Sequence, residues 1–204
     1  MNLFKTPRYL TWIFPRRTWG FSLEPNTVYL TFDDGPNPIL TPWVLDFLSK
    51  KQIKATFFCV GQNIVKYPEL FDRIKAEGHQ IANHSMRHEK GTKTKWKDYK
   101  ESIDETAKLV ENNLFRPPYG RVSMLQSAKL KPQYKIIMWS WLSNDFDEKI
   151  PIQKILQKAE KQIKGGQIIL LHDNDNFEER VKTLLPKIIE VIQAKGLKFE
   201  VISA

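Results

Sequence analysis

The sequence holds one cysteine, Cys59, so no disulfide can form within the chain. No stretch approaches the roughly 18 apolar residues of a membrane-spanning helix. An early apolar patch, Tyr9 to Phe14, is stopped by Pro15 and Arg16-Arg17. It is too short for the core of a secretory signal, and no small-residue cleavage site follows it. That pattern makes a cytoplasmic location the default expectation. The patch is expected to pack as an arm, residues 1–25, on a domain of residues 26–204, with a membrane-surface contact as the alternative. Also missing are a P-loop, a dinucleotide fingerprint, a nucleic-acid motif, an interior linker, repeats and low-complexity tracts. These absences leave one domain of ordinary size with no nucleic-acid partner expected. They do not indicate an oligomeric state. Cys59 lies inside the apolar run Ala55–Val60 and reads as a small core residue.

Positive charge is what the sequence has in excess. Lysine and arginine number 32 against 23 aspartate and glutamate, a net charge of +9. Such an excess by itself favours acidic partners: nucleic acid, anionic glycans or an anionic surface. It is densest from Arg87 to Lys100, with Lys90, Lys93, Lys95 and Lys97 between. A solvated loop and helix face accounts for this stretch, or a patch that steers an acidic substrate.

Strand-like and helix-like patterns alternate along the chain. Strands are expected at 28–33, 56–60, 80–83, 114–116, 135–139, 167–171 and 198–202, separated by segments with apolar residues three or four apart. Gly78, Gly165-Gly166 and Gly196 follow helices as C-caps do, and Pro151 opens one. Parallel strands need helical crossovers, so the repeated unit predicts an α/β domain. About seven units predict a distorted (β/α) barrel, with an open doubly wound sheet as the alternative. In either, a site belongs at the C-terminal strand ends.

Chemistry-bearing residues fall at those ends. His84 and His88 are four apart, a spacing that puts both rings on one side of a helical turn. With Asp34 they make a three-ligand set that leaves coordination positions open, as a catalytic metal site does. Asp33-Asp34-Gly35-Pro36-Asn37 is also a good turn sequence. Two adjacent carboxylates at a strand end nevertheless need neutralising. A divalent ion on Asp34 and Arg116 near Asp33 would do so, leaving Asp33 as a general base.

Four segments carry a resemblance to a known family: Thr31-Phe-Asp-Asp-Gly-Pro36, His84-Ser-Met-Arg-His88, Arg116-Pro-Pro-Tyr-Gly120 and Leu170-Leu-His172. In order and spacing they resemble four of the five signature motifs of the polysaccharide deacetylases, carbohydrate esterase family four, across residues 26 to 203. The resemblance implies a distorted barrel, a divalent metal (usually zinc, with Co2+ or Ni2+ as alternatives) and hydrolysis of N-acetyl groups on a glycan such as peptidoglycan or a chitin-type oligosaccharide. It implies that Asp33 is the base, that Asp34, His84 and His88 bind the metal, and that Arg116 positions Asp33. It further implies that the Tyr119 backbone N–H holds the oxyanion, that His172 is the acid and that Leu170 lines the acetyl pocket. A glycan substrate places the work at the cell envelope or outside the cell, against the location the N-terminus suggests.

The fifth motif departs from the family, which usually has Asp then Trp there. Here Asp145 is followed by Phe146, and Leu142 stands where an earlier Asp is usual. Asp145 is expected either to orient His172 or to make a turn. Phe146 keeps an apolar wall without an indole N–H. Trp96, Trp139 and Trp141 are candidates for stacking on sugar rings, Trp139 equally for the core. His79 and Asp173 read as turn residues. Alternative functions are an amidase or imidase of small substrates, an iron site for oxygen chemistry, or a catalytically silent basic glycan-binding protein.

Overall fold

The computed structural model describes residues 4–203. Residues 1–3 of the expected arm and Ala204 lie outside the described residues. Seven parallel strands form a curled half-barrel in the order β5-β4-β3-β2-β1-β7-β6, and an eighth, β8, pairs with β1. The strands are β1 Thr27–Asp33, β2 Thr56–Cys59, β3 Gln80–Asn83, β4 Leu114–Phe115, β5 Lys135–Ile136, β6 Trp141–Leu142, β7 Ile168–His172 and β8 Lys198–Phe199. The helices are α1 Arg8–Ile13, α2 Leu40–Lys51, α3 Gly61–Lys66, α4 Pro68–Ala76, α5 Trp96–Val110, α6 Met124–Leu130, α7 Ile152–Gln162 and α8 Glu178–Ala194.

Side chains alternate across each strand, and this period of two sets the whole arrangement. Val28, Leu30 and Phe32 of β1, with Ile169 and Leu171 of β7, point outward into the main core shared with α2, α7 and α8. Tyr29, Phe58, Ala82, Leu114, Ile137 and Ile168 point inward and close the barrel floor. Two residues further along the same face come Thr31, Leu170, Arg116 and His84, and two further again Asp33 and His172 at the rim. The parity that fills the floor therefore also aims the polar groups into the barrel mouth.

The expected strand at 135–139 is two short strands instead, with Ile137–Ser140 carrying the chain from β5 to β6. These two strands are the open edges of the half-barrel. The N-terminal segment lies along both, satisfying backbone groups that an edge leaves bare. Thr18 donates to Ile136 O and accepts from Met138 N, while Thr6 donates to Ser140 O and Phe4 accepts from Leu142 N. Phe4 is buried against Trp141. Trp141 is fully buried, so it does not stack on a sugar. The last strand stops at Phe199 rather than 202.

Candidate active site

Asp33 ends β1 beside His172, its register partner on β7. Arg116 follows β4 and is fully buried, with its guanidinium 3.9 Å from the centre of the Phe58 ring. It donates to Asp33 Oδ1 at 2.6 Å, Thr31 Oγ1 at 2.8 Å and Met138 O at 3.0 Å. Burial lowers the guanidinium pKa and Asp33 pulls it back up; an arginine stays charged even so. The other Asp33 oxygen, Oδ2, is left facing His84.

Asp34, His84 and His88 come together, with one donor atom from each mutually within 4.8 Å. They do so without a helix. The 84–88 segment is a loop in which Ser85 and His88 take positive φ, which corrects the helical-turn expectation. Left-handed backbone is concentrated here. Of the seven described non-glycine residues with positive φ, Gln52 and Glu111 cap helices, while Asp34, Ser85, His88, Tyr119 and Asn144 sit around the site. Strained conformations of this kind persist where neighbours over-determine them. Asn63 and Asn37 both donate to Asp34 O, and Asn174 donates to Asp34 Oδ2. Asn83 Oδ1 accepts from Ser85 N.

The donor set fits a divalent cation. His84 Nδ1 lies 2.8 Å from Arg116 O, an acceptor only, so Nδ1 carries the proton and Nε2 is bare. Bare Nε2 then sits 3.7 Å from both Asp33 Oδ2 and Asp34 Oδ1, acceptors facing an acceptor. A cation resolves that conflict. Burial pushes His84 down to about 4, with the carboxylates opposing and His88 adding to the drop, so the ring is neutral as a ligand must be. Burial works to raise the Asp34 pKa, yet His88, 3.1 Å away, and the other imidazoles hold it well below the usual carboxylate range.

His172 is arranged oppositely. Asp145 is fully buried and takes both the His172 backbone N–H and ring Nδ1 at 2.7 Å. Burial works against the imidazolium, but Asp145 outweighs it with help from Asp34 and Asp33, and His172 is pushed up to about 9. Arg180 fixes the Asp145 loop through Asp145 O and Ile150 O. Phe146 and Phe177 pack edge-on against the His172 ring.

Asp173 is not a surface turn residue. It is fully buried, accepts from Gly35 N at 3.0 Å and Thr41 Oγ1 at 2.7 Å, and is pushed up to about 7 by burial, with Asp34 adding to the rise. Any side chain at Gly35 would place its Cβ 1.9 Å from that carboxyl. His79 is buried below the barrel mouth, where Nδ1 accepts from Ala55 N, and takes no part in the site.

A pocket of about 340 Å3 holds Asp33, Asp34, His84, His88 and His172, with walls from Tyr119, Trp139, Leu142, Phe146, Leu170 and Phe177. Arg116 and Asp145 stand directly behind it. Trp96 lies instead among partly buried residues of a separate cluster. Phe177 and the asparagines at 63, 83 and 174 were not legible in the sequence, whereas Asn37 was legible only as a turn residue.

A family model described as polysaccharide deacetylase matches residues 22–132. A peptidoglycan-N-acetylglucosamine deacetylase of Bacillus cereus is 32% identical over 194 residues, covering 91% of each chain. A chitooligosaccharide deacetylase of Bradyrhizobium is 32% identical over 166 residues, covering 78% of this chain and 75% of its own. Among solved structures, a peptidoglycan N-acetylglucosamine deacetylase in complex with 4-naphthalen-1-yl-N-oxidanyl-benzamide superposes with a TM-score of 0.87 at 29% identity, covering 97% of this chain and 95% of that one. This chain belongs to the polysaccharide deacetylase family.

Proposed function

We propose that the protein is a metal-dependent hydrolase that removes N-acetyl groups from N-acetylglucosamine units of a glycan. The observation that carries this reading is the pairing across one pocket of a carboxylate held by Arg116 with an imidazolium held by Asp145. A base and an acid then flank the cation set. Two nitrogens and one oxygen suit Zn2+, with Co2+ and Ni2+ as alternatives. When bound at Asp34, His84 and His88, the ion supplies Lewis acidity that activates water and polarises a carbonyl.

The chain's own groups do the rest. Asp33, fixed through Oδ1 by Arg116, takes a proton from the attacking water as the water oxygen bonds to the amide carbon. The Tyr119 backbone N–H holds the developing oxyanion, a donor worth roughly 3 kcal/mol in comparable sites. An amine leaves poorly unless protonated. His172 delivers its proton to the departing nitrogen, the C–N bond breaks, and acetate and a free amine result. Leu170 and Trp139 bound the space for the acetyl methyl, and the proton on Asp33 leaves to solvent as His172 is recharged.

The test is direct. Metal-loaded protein is incubated with N-acetylglucosamine oligomers and released acetate is measured, with Asp33→Asn and His84→Ala as controls. Acetate release that both substitutions abolish supports the reading. Release that survives both contradicts it, and glycan binding without any release favours a silent binding protein.

A further inference from the structure

A second cavity, of about 500 Å3, opens beside the catalytic pocket and shares Tyr119, Trp139 and Leu142 with it. Both volumes fall in the roughly 300–1,000 Å3 range of ligand clefts. One wall comes from the N-terminal arm, through Leu10, Phe14 and Trp19, and the opposite wall from residues 120–122. A glycan whose N-acetyl group reaches the cation set must continue somewhere, and this is adjoining space with aromatic walls.

Its charge differs from that of the catalytic pocket. No carboxylate lines it. Arg17 lies in its floor but is committed to Val122 O, Ser127 Oγ and the Phe14 ring. Arg121 is exposed, and its side chain makes no ion pair or hydrogen bond among the described residues. Lys90 lines neither cavity but stands 4.4 Å over the ring of Tyr119, which lines both. Nearby Glu89 is already occupied by Ser85 and Arg87. Arg121 in the lining and Lys90 above the shared Tyr119 ring thus pair with no carboxylate among the described residues, beside a space that offers sugar rings an apolar wall.

We propose that this cavity is a subsite for a carboxylate-bearing neighbour of the reacting N-acetylglucosamine, held by Arg121 and Lys90. The cleft then favours acidic, peptidoglycan-type glycan over neutral chitin-type glycan. This rests on the deacetylase reading and adds the substrate class to it.

The decisive comparison uses oligomers of alternating N-acetylglucosamine and N-acetylmuramic acid of one length, with lactyl carboxylates either free or methyl-esterified. In the wild-type protein the ester is expected to raise KM for acetate release about tenfold, as loss of a charged hydrogen bond does. Salt near 1 M, where the screening length is roughly 3 Å, narrows that gap. In Arg121→Gln combined with Lys90→Gln the ratio of the two KM values collapses towards one, while Arg121→Lys keeps an intermediate ratio. Equal KM values for acid and ester in the wild-type protein, or a ratio that survives the double substitution, overturn the subsite while leaving deacetylation standing. If neither form releases acetate while N-acetylglucosamine oligomers do, the subsite fails and deacetylation stands; if no glycan releases acetate, both fail.

Discussion

Two imidazoles line the same pocket from opposite sides, and the protein gives them opposite protonation states. His84, after β3, rests Nδ1 on the backbone carbonyl of Arg116, lies near that guanidinium and is pushed down to about 4. His172, ending β7, rests Nδ1 on the buried carboxylate of Asp145 and is pushed up to about 9. Burial acts on both in the same direction, against the charged ring. What differs is the partner behind the ring: a dipole beside a cation on one side, a full anion on the other. In the proposed roles, residue type alone does not separate ligand from acid; the group behind Nδ1 does.

Removing one half of the contrast should have the largest effect. His84→Ala deletes the bare nitrogen, and acetate release is expected to fall about a thousandfold, since a bound ion supplies several kcal/mol. Elemental analysis should show loss of bound metal in the same variant. Retained metal with full activity would mean that the His84 side is not the ligand side.

Asp145→Asn attacks the other half while leaving the ligand set whole. The neutral amide cannot hold the imidazolium, so the alkaline limit of the pH–kcat profile should move down by a unit or more. At neutral pH kcat should drop about a hundredfold with metal content unchanged. A profile that stays in place would remove Asp145 from the account. In the loaded wild-type enzyme that limit is itself expected below 9, because two added positive charges disfavour the imidazolium.

A smaller effect belongs to the wall. Phe146 meets His172 only edge-on, with ring centres 5.4 Å apart. Phe146→Trp is expected to change kcat/KM by about two- to fivefold, the scale of one aromatic contact, without shifting the pH limits. A shifted limit would show that the wall tunes the acid.

The mildest signature is in stability. Between an unfolded pKa of about 6.5 and a folded value of about 9, the native state holds a proton on His172 that the unfolded chain has released. That contribution is complete below the lower value and lost as pH rises through the upper one. Denaturant unfolding of the metal-free protein should therefore show stability falling by about 1–3 kcal/mol from neutral pH to above 9. In Asp145→Asn the fall should be largely absent.

The residues that end strands were legible in the sequence, because an apolar run followed by Asp33-Asp34, His84 or Arg116 places a polar group at a barrel mouth whatever surrounds it. The fold class was legible for the same reason: alternating periods of two and 3.6 demand a parallel sheet. The support behind the site was less so. Asn174 reaches Asp34, Arg180 braces Asp145 and Thr41 meets Asp173 across more than thirty residues of sequence, and such pairings depend on register, which spacing does not reveal. The loop path of 84–88 was missed because four-residue spacing fits a helix equally well, whereas left-handed Ser85 and His88 bring the rings together by another route. The split of the fifth strand was missed because an apolar run does not show where pairing stops, and the N-terminal arm covers both resulting edges.

The central claim is tested most directly by nuclear magnetic resonance titration of the imidazoles in the metal-free protein. The account predicts that His84 stays neutral until pH falls to about 4 and that His172 stays protonated until pH rises to about 9. Two rings titrating together near the ordinary value of about 6.5 would contradict it.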